Sequence, residues 1–411
     1  MDRVDTVVVG AGHAGLATSH ELTRFGVEHV VLDRGTVASR WRDERWDTFC
    51  LLTPNWATWL PGWHYTGPDP HGFMVKGEIV DYFENYARSF SAPVRDHTEV
   101  LSLEIDGSGG YRVLTDQGEI GARAVVVATG PFQQPRLPAW SRTLSAAVTQ
   151  LHSSSYRRPA DLPEGGVLVV GAGPSAQQIA EDLLRAGRQV HLAVGSHRRV
   201  PRRYRGRDYY WWLELGGFYE KTVADVSPTM RAHPVAPVLT GYDGGHDLDL
   251  RELAARGVRL LGRAIDGRGT TIQLDASLNE SLAKGDRAYQ EFVDWVEARL
   301  CRFDGLFDQP SPRPVFPDPA AAPVVLDLAA AGVSTVVWAT GFDSALGSWA
   351  RLPMLDDAGR PLHQRGVTPC PGVFVVGRSW LYRLRSAFIR GAQEDAAYVA
   401  GRVSEGVTSS A

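Results

Sequence analysis

Short β-branched runs, each followed by a glycine-rich turn and then by apolar residues at helical spacing, recur along this 411-residue chain. The first run, Val4–Val9, is β-branched and closes on three consecutive valines, as suits a strand buried on both faces. It leads into Gly10-Ala11-Gly12-His13-Ala14-Gly15. Leu16, Leu22 and Phe25 then follow helical spacing, Gly26 predicts a helix stop, and His29–Leu32 predicts a second strand. Asp33 comes next, 23 residues after Gly10. The order returns downstream. A strand is expected over Gly166–Val170, then Gly171-Ala172-Gly173-Pro174-Ser175-Ala176, a helix over Gln177–Arg185 stopped at Gly187, and a strand over Gln189–Val194. Two more strands end in matching turns: Arg123–Val127 before Ala128-Thr129-Gly130, and Thr335–Trp338 before Ala339-Thr340-Gly341. Gly372–Val376 predicts a strand ending at Gly377, and a helix is expected from about Gly391 and Ala392.

A strand, a glycine turn, a helix, a second strand and an acid form one dinucleotide-binding unit. Two complete units predict an α/β protein with two doubly wound Rossmann-type domains. The C-terminal strand and helix return to the first domain, so the second is inserted in it. The expected boundaries are 1–158 and 321–411 for the first domain and 159–320 for the second. The proline-rich stretches Pro131–Pro138 and Pro310–Pro323 read as linkers.

The acid position separates the units chemically. Asp33 can accept hydrogen bonds from both hydroxyls of an adenosine ribose, as in FAD or NAD. The matching position of the second unit is Val194, followed by Gly195, Ser196, His197, Arg198 and Arg199. A hydroxyl and guanidinium groups suit a 2′-phosphate, so this unit is expected to take NADPH. His197–Arg207 contains six arginines, of which Arg202 to Arg207 read equally well as a solvated loop. FAD is assigned to Gly10, Gly12, Ala14, Gly15, Asp33, Arg34, Arg40 and Trp41. Thr129, Gly130, Ala339, Thr340, Gly341, Gly377, Arg378, Gly391 and Ala392 complete the cofactor set of the first domain. NADPH is assigned to Gly171, Gly173, Pro174, Ser175, Ala176, Ser196, Arg198 and Arg199.

Composition excludes several classes. Hydrophobic residues make up 44% and charged residues 22%, the balance of a folded globular chain. A net charge of −4 argues against a general nucleic-acid binder. The three cysteines, Cys50, Cys301 and Cys370, include no CxxC pair, which disfavours a dithiol redox centre and a zinc ribbon. No metal site is expected. No apolar run approaches a membrane span and no leader is read, so the expected location is cytoplasmic. Oligomeric state is open.

Two dinucleotide units, two Ala-Thr-Gly turns and a Gly377-Arg378-Ser379 turn together resemble the class B FAD- and NADPH-dependent monooxygenases. That group includes the flavin-containing monooxygenases, the plant YUCCA enzymes and bacterial flavoproteins labelled for cation transport. Trp46-Asp47-Thr48-Phe49-Cys50-Leu51-Leu52-Thr53-Pro54 resembles the stretch after the first unit in YUCCA-like members. Gln150–Tyr156 resembles the end of the group's FxGxxxHxxx[WY] fingerprint, with His152 and Tyr156 kept and Ala146 and Val148 at its Phe and Gly positions. The resemblance implies hydride transfer from NADPH to FAD, a C4a-(hydro)peroxyflavin formed with molecular oxygen, and oxygenation of a small organic substrate. Tyrosine at the fingerprint's end leans toward nitrogen or sulfur as the oxygenated atom. Carbonyl oxygenation of the Baeyer–Villiger or decarboxylating kind, and an NADPH oxidase or electron-transfer reductase, stay open. Asn55 lies where the group carries an asparagine aimed at the peroxide, and a turn asparagine is the alternative. His152 is expected to orient the domain linker or NADP⁺. Tyr209–Trp212 reads as packing or as a pocket wall.

Overall fold

The computed structural model describes residues 2–107, 109–227, 236–300, 307–310 and 312–408. Two parallel sheets organise the chain. In the first, the strands run in the order Val94–Arg95, His29–Leu32, Asp2–Val9 and Gly118–Val127, with Val373–Val375 closing against Gly118–Val127. An antiparallel meander, Val100–Ile105 and Tyr111–Thr115, extends from the same long strand. The chain therefore leaves this sheet after Val127 and returns to it at Val373.

Alternation along these strands sorts two apolar layers. Val8, Val31 and Val126 pack with the helices His13–Arg24, Lys76–Ser89 and Ala392–Thr408 through Leu16, Leu22, Phe83, Val399 and Val403. Val7, Val9, Val30, Val125 and Val127 face the other way, against Leu103, Tyr111 and Val113 of the meander. Both faces are covered, which is why Val7–Val9 and Ala124–Val127 are apolar without alternation.

The second sheet is all parallel, in the order Thr149–His152, Val333–Trp338, Gly166–Val170, Val190–Ala193, Arg259–Leu261. It is layered like the first. Val167, Val169 and Leu192 pack on the helix Pro174–Arg185 through Ile179 and Leu183. Leu168, Val170 and Trp338 face Ile272, Leu274 and Leu326, which belong to a small antiparallel sheet.

The strands Thr149–His152 and Val333–Trp338 fall outside the expected limits of the second domain, 159–320, yet both pair within its sheet. The reason is local. Ala339 N–H donates to Val170 O, and the Ala339 carbonyl sits where a Cβ on Gly171 would be, 2.4 Å away. Ala128 does the same in the first domain, donating to Val9 O and placing its carbonyl 2.8 Å from a Cβ position on Gly10. Each Ala-Thr-Gly turn thus seats on the first glycine of its own unit, so Ala339, Thr340 and Gly341 belong to the second turn rather than to the flavin-side segment. The expected linker Pro131–Pro138 runs beside the chain that follows the second Ala-Thr-Gly turn, not beside Pro310–Pro323: Gln134–Pro135 pairs antiparallel with Phe342–Asp343.

Three features were not foreseen from the pattern: the helix Lys76–Ser89, the 23-residue helix Leu278–Leu300, and the meander. Tyr209–Leu215 forms a helix whose aromatics pack with Phe292, Val296, Trp56 and Phe388, making them core between the domains. Among the described residues, no helix is long and apolar enough to cross a membrane.

Gly171 has φ +133° and Gly173 has φ −74°, so only the first needs glycine for its backbone. Gly171→Ala should lower unfolding stability by on the order of 1–3 kcal/mol, from strain and the Ala339 clash. Gly173→Ser, at a helix N-cap, should stay within about 0.5 kcal/mol of wild type. Urea unfolding followed by circular dichroism checks both.

Candidate active site

The turn Gly10–Gly15 closes tightly on itself. A Cβ at Gly15 would lie 1.8 Å from Gly10 O, so the helix His13–Arg24 can start this near the strand only with glycine there. Gly12 is different. Its φ is −80°, and a Cβ on it would meet no protein atom within 4 Å. Neither backbone nor packing requires glycine at 12, which is the signature of a position kept bare for a ligand's approach. The end of the C-terminal strand meets the same place: a Cβ at Gly377 would lie 2.7 Å from Ala14 Cβ. Ala392 opens the last helix nearby, directing its amide end to this side of the sheet.

Asp33 lies at the mouth of the turn. Its Oδ2 accepts Ala11 N–H at 2.7 Å, and Oδ1 accepts Gly35 N–H at 2.9 Å and Ser39 Oγ at 3.2 Å. Three donors leave about one of a carboxylate's roughly four acceptor positions, so it can take one ribose hydroxyl in this arrangement rather than the expected two. Arg34 and Arg40 pair with Glu44 at 3.2 and 3.3 Å, which places both at the rim and leaves the three groups with one net positive charge. Trp41 packs on the helix-side core beside Phe83. Thr129 Oγ1 and Gly130 O both accept from Gln133, tying down the first Ala-Thr-Gly turn. Arg378 is buried enough that desolvation lowers its proton affinity. Its Nη1 reaches Gly130 O at 3.5 Å, and no carboxylate pairs with it among the described residues. A half-buried, unpaired cation beside a bare glycine turn fits an anionic group such as the FAD diphosphate.

The second turn repeats this. A Cβ at Gly173 would also meet nothing within 4 Å, and Pro174 occupies the first helical position, where it loses no backbone bond. Ser175 is half-buried at the rim and Ala176 is buried. At the adenosine end, Val194 is buried and Ser196 exposed. The two arginines diverge. Arg199 is 5% exposed, pairs with Asp249 at 2.6 Å and Asp286 at 3.2 Å, and lies over Tyr289. Its charge is already matched, which corrects the expectation that it meets a 2′-phosphate. Arg198 is half-buried and has no ion pair among the described residues. A third arginine was missed. Val190–Ala193 and Arg259–Leu261 are neighbouring parallel strands, so Arg263 emerges beside Gly195, with Nε 4.0 Å from a Cβ position there. The sequence signal was an arginine two residues past the adjacent strand, visible only once strand order is known. Arg202 is buried, bonded to Leu52 O and Asp208, so it is no solvated loop residue.

His152 and Asn55 hold structure together. His152 is 5% exposed; its Nε2 donates to Gly341 O at 3.0 Å and its Nδ1 lies 3.0 Å from Ser154 Oγ. Burial lowers its proton affinity, and the neutral ring clamps the returning linker to the strand that enters the second sheet. Tyr156 OH donates to Asp182 Oδ2 at 2.6 Å, while Thr48 Oγ1 donates to Asp182 Oδ1 at 2.8 Å, so one helix carboxylate binds both domains. Asn55 is 4% exposed. Its Nδ2 donates to Asp69 O at 2.9 Å and its Oδ1 accepts Met74 N–H at 2.8 Å. Both ends of the amide are thus engaged by the 69–74 backbone, the turn alternative rather than the catalytic one.

Residues 7–214 match the family model described as pyridine nucleotide-disulphide oxidoreductase. The chain belongs to that family. An uncharacterized CzcO-like oxidoreductase of Geobacillus kaustophilus is 32% identical over 96% of this chain and 97% of its own length. A rice indole-3-pyruvate monooxygenase, YUCCA1, is 34% identical over 46% of this chain and 47% of its own. The fold matches a flavin-containing monooxygenase of Stenotrophomonas maltophilia with a TM-score of 0.67 and 20% identity, covering 98% of this chain and 99% of that one. The resemblance to class B flavoprotein monooxygenases is upheld by these relatives.

Within a family named for disulphide chemistry, the thiols of this member stand apart. Cys50 and Cys370 are buried and free, and burial pushes the Cys50 thiol up to about 11 and raises Cys370 as well. Cys301 lies outside the described residues. Protonated, buried thiols are poor nucleophiles.

Gly12→Ser and Gly173→Ser should separate the two turns. The first should purify with little FAD and the second should bind NADP⁺ at least tenfold more weakly, each with unchanged circular dichroism; absorbance at the flavin band and calorimetric titration read the outcomes. Acid sensitivity also follows from the site. Burial lowers the pKa of His13 to about 4, and holds His29, His152, His191, His197 and His363 below the ordinary histidine value of 6.5. His246, raised by Glu181, acts in the opposite direction. Unfolded histidines take up protons that these folded ones resist, so stability should fall as pH drops below 6.5. Urea midpoints at pH 7.5 and 5.5 check the sign.

Proposed function

We propose that this chain is an NADPH-dependent FAD monooxygenase that inserts one oxygen atom into a small organic substrate at nitrogen or sulfur. The observation that carries the reading is the pair of bare glycine turns, at Gly12 and Gly173, on one chain whose cysteines form no CxxC pair. When bound, FAD supplies the two-electron chemistry that links NADPH oxidation to oxygen. The overall balance is substrate, O₂, NADPH and a proton giving oxygenated substrate, water and NADP⁺.

The chain's own residues bind, orient and seal. Gly12 and the amide end of the helix His13–Arg24 take the FAD diphosphate, Asp33 accepts a ribose hydroxyl, and Arg378 balances charge. Gly173 and the helix Pro174–Arg185 take the NADPH diphosphate, with Ser196, Arg198 and Arg263 toward the 2′-phosphate. Thr48 on Asp182, Asp47 N–H on Arg157 O and Arg202 on Leu52 O fix the two domains against each other, which sets the distance over which hydride moves, while His152 and Tyr156 brace the second domain at that junction. The aromatic layer of Tyr209, Tyr210 and Trp212 against Phe388 excludes water from the domain junction. Tyr156 in place of tryptophan is the feature that favours nitrogen or sulfur.

The test is product analysis. FAD-loaded protein, NADPH and oxygen are offered amines, thioethers, ketones and 2-oxo acids, with NADPH use compared against product and hydrogen peroxide. Stoichiometric N- or S-oxide supports the reading. Lactone or ester from ketones, or decarboxylation of a 2-oxo acid, replaces it with carbonyl oxygenation. Peroxide alone with every substrate replaces it with an oxidase or reductase.

Coenzyme choice gives a second check. One charge-assisted contact contributes roughly 1.5–3 kcal/mol. Arg198→Ala and Arg263→Ala should each raise KM for NADPH about tenfold while leaving KM for NADH within about twofold. Arg199→Ala should instead lower stability, because Asp249 loses its nearest guanidinium, at 2.6 Å, and keeps only Arg313 at 3.9 Å.

A further inference from the structure

The segment Trp41 to Phe49 lies on both domains at once. Trp41 packs on the first domain's cluster, which includes Ala11 and Ala14 of the first turn. Trp46, 3% exposed, packs in the second domain's cluster with Ala172 and Ala176 of the second turn. Phe49 touches both clusters. Asp47 N–H donates to Arg157 O at 2.9 Å, and Thr48 holds Asp182 on the helix Pro174–Arg185.

Arg45 stands in the middle of this crossing. Its guanidinium lies 5.5 Å from the ring centres of both Trp41 and Phe49, and Nη1 donates to the Glu44 carbonyl at 2.9 Å. The Glu44 carboxylate is turned to Arg34 and Arg40. Arg45 has no ion pair among the described residues. Neither does Arg157, whose guanidinium donates to Ser154 O at 2.7 Å and Tyr156 O at 2.9 Å. Burial lowers the Arg45 pKa to about 10; the Glu44 carboxylate pulls the other way, and the charges of Arg40 and Arg157 each push it down by less. A partly desolvated guanidinium that forms no ion pair of its own is costly unless an anion joins it.

We infer that Arg45, presented by the first domain, contacts the diphosphate of the nicotinamide coenzyme seated on the second turn. The second turn is favoured over the first because Trp46, the next residue, is embedded against Ala172 and Ala176, and because the first turn has Arg378 beside it. The diphosphate is favoured over the 2′-phosphate because Ala172–Ala176 leads into a helix N-terminus, whereas Ser196 and Arg198 lie past the neighbouring strand. Arg45 then binds the coenzyme only when the two domains are docked, so coenzyme affinity reports their juxtaposition. The inference rests on the reading of the second turn as the NADPH site.

The test uses the oxidised, FAD-loaded protein and calorimetric titration with NADP⁺, NAD⁺ and adenosine 2′-monophosphate, which carries no diphosphate. Arg45→Gln should weaken NADP⁺ and NAD⁺ by the same factor, about tenfold, leave the adenosine 2′-monophosphate constant unchanged, and keep full FAD content. Arg45→Lys, which keeps a charge without the planar fork, should recover part of the loss. Unchanged NADP⁺ affinity in Arg45→Gln overturns the inference. Loss of FAD with unchanged NADP⁺ affinity overturns it in favour of the flavin's diphosphate. Equal weakening of all three ligands overturns it in favour of a packing role. Wild-type protein that binds neither NADP⁺ nor NAD⁺ would overturn the coenzyme reading itself, and the inference with it.

Discussion

A carbonyl pressed into the space of a missing side chain underlies both halves of this molecule. Ala128 O occupies the Cβ position of Gly10, and Ala339 O that of Gly171. Each contact lets an Ala-Thr-Gly turn sit directly on the first glycine of a dinucleotide turn, with the preceding alanine amide bonded to the adjacent strand. From that follow the strand order, the points at which the chain enters and leaves each domain, and the pairing of the two segments that follow the turns. The second sheet takes its outer strands from before 159 and after 320 because this contact, rather than a composition break, decides where Val333–Trp338 belongs.

The junction between the domains is held by polar side chains whose chemistry could equally serve catalysis. His152 clamps a linker carbonyl, Tyr156 and Thr48 share Asp182, Asn55 ties a loop, and Arg202 joins Leu52 to Asp208. Buried polar groups of this kind are expensive to leave unpaired, so the bonds they make favour one arrangement of the domains. That arrangement sets how the two cofactor turns face each other.

Arginine partners divide the basic residues into two kinds. Arg199, Arg202 and Arg205 have carboxylates in place. Arg45, Arg198 and Arg378 have none among the described residues, and two of them are desolvated enough to lose proton affinity. Arg199, Arg202 and Arg205 are thus spent on the fold, whereas Arg45, Arg198 and Arg378 keep a charge that a bound anion can meet.

The two glycine units, their helices and strands, and the return of Val373–Val375 to the first sheet were legible in the sequence because they rest on local rules: unbroken apolar runs for strands covered on both faces, and glycines at fixed offsets. The difference between Asp33 and Val194 was legible for the same reason, since the acid follows its strand directly. Arg263 was not, because its place beside Ser196 depends on which strand lies next to Val190–Ala193. Nor was the division between Arg198 and Arg199, adjacent in sequence, since only packing brings Asp249 and Asp286 to one of them. Asn55 and His152 carry polar groups suited to several tasks, and sequence cannot say which atoms satisfy them. Local chemistry determined the units and their ligand types; contacts between residues distant in sequence decided which charges remained free to meet those ligands.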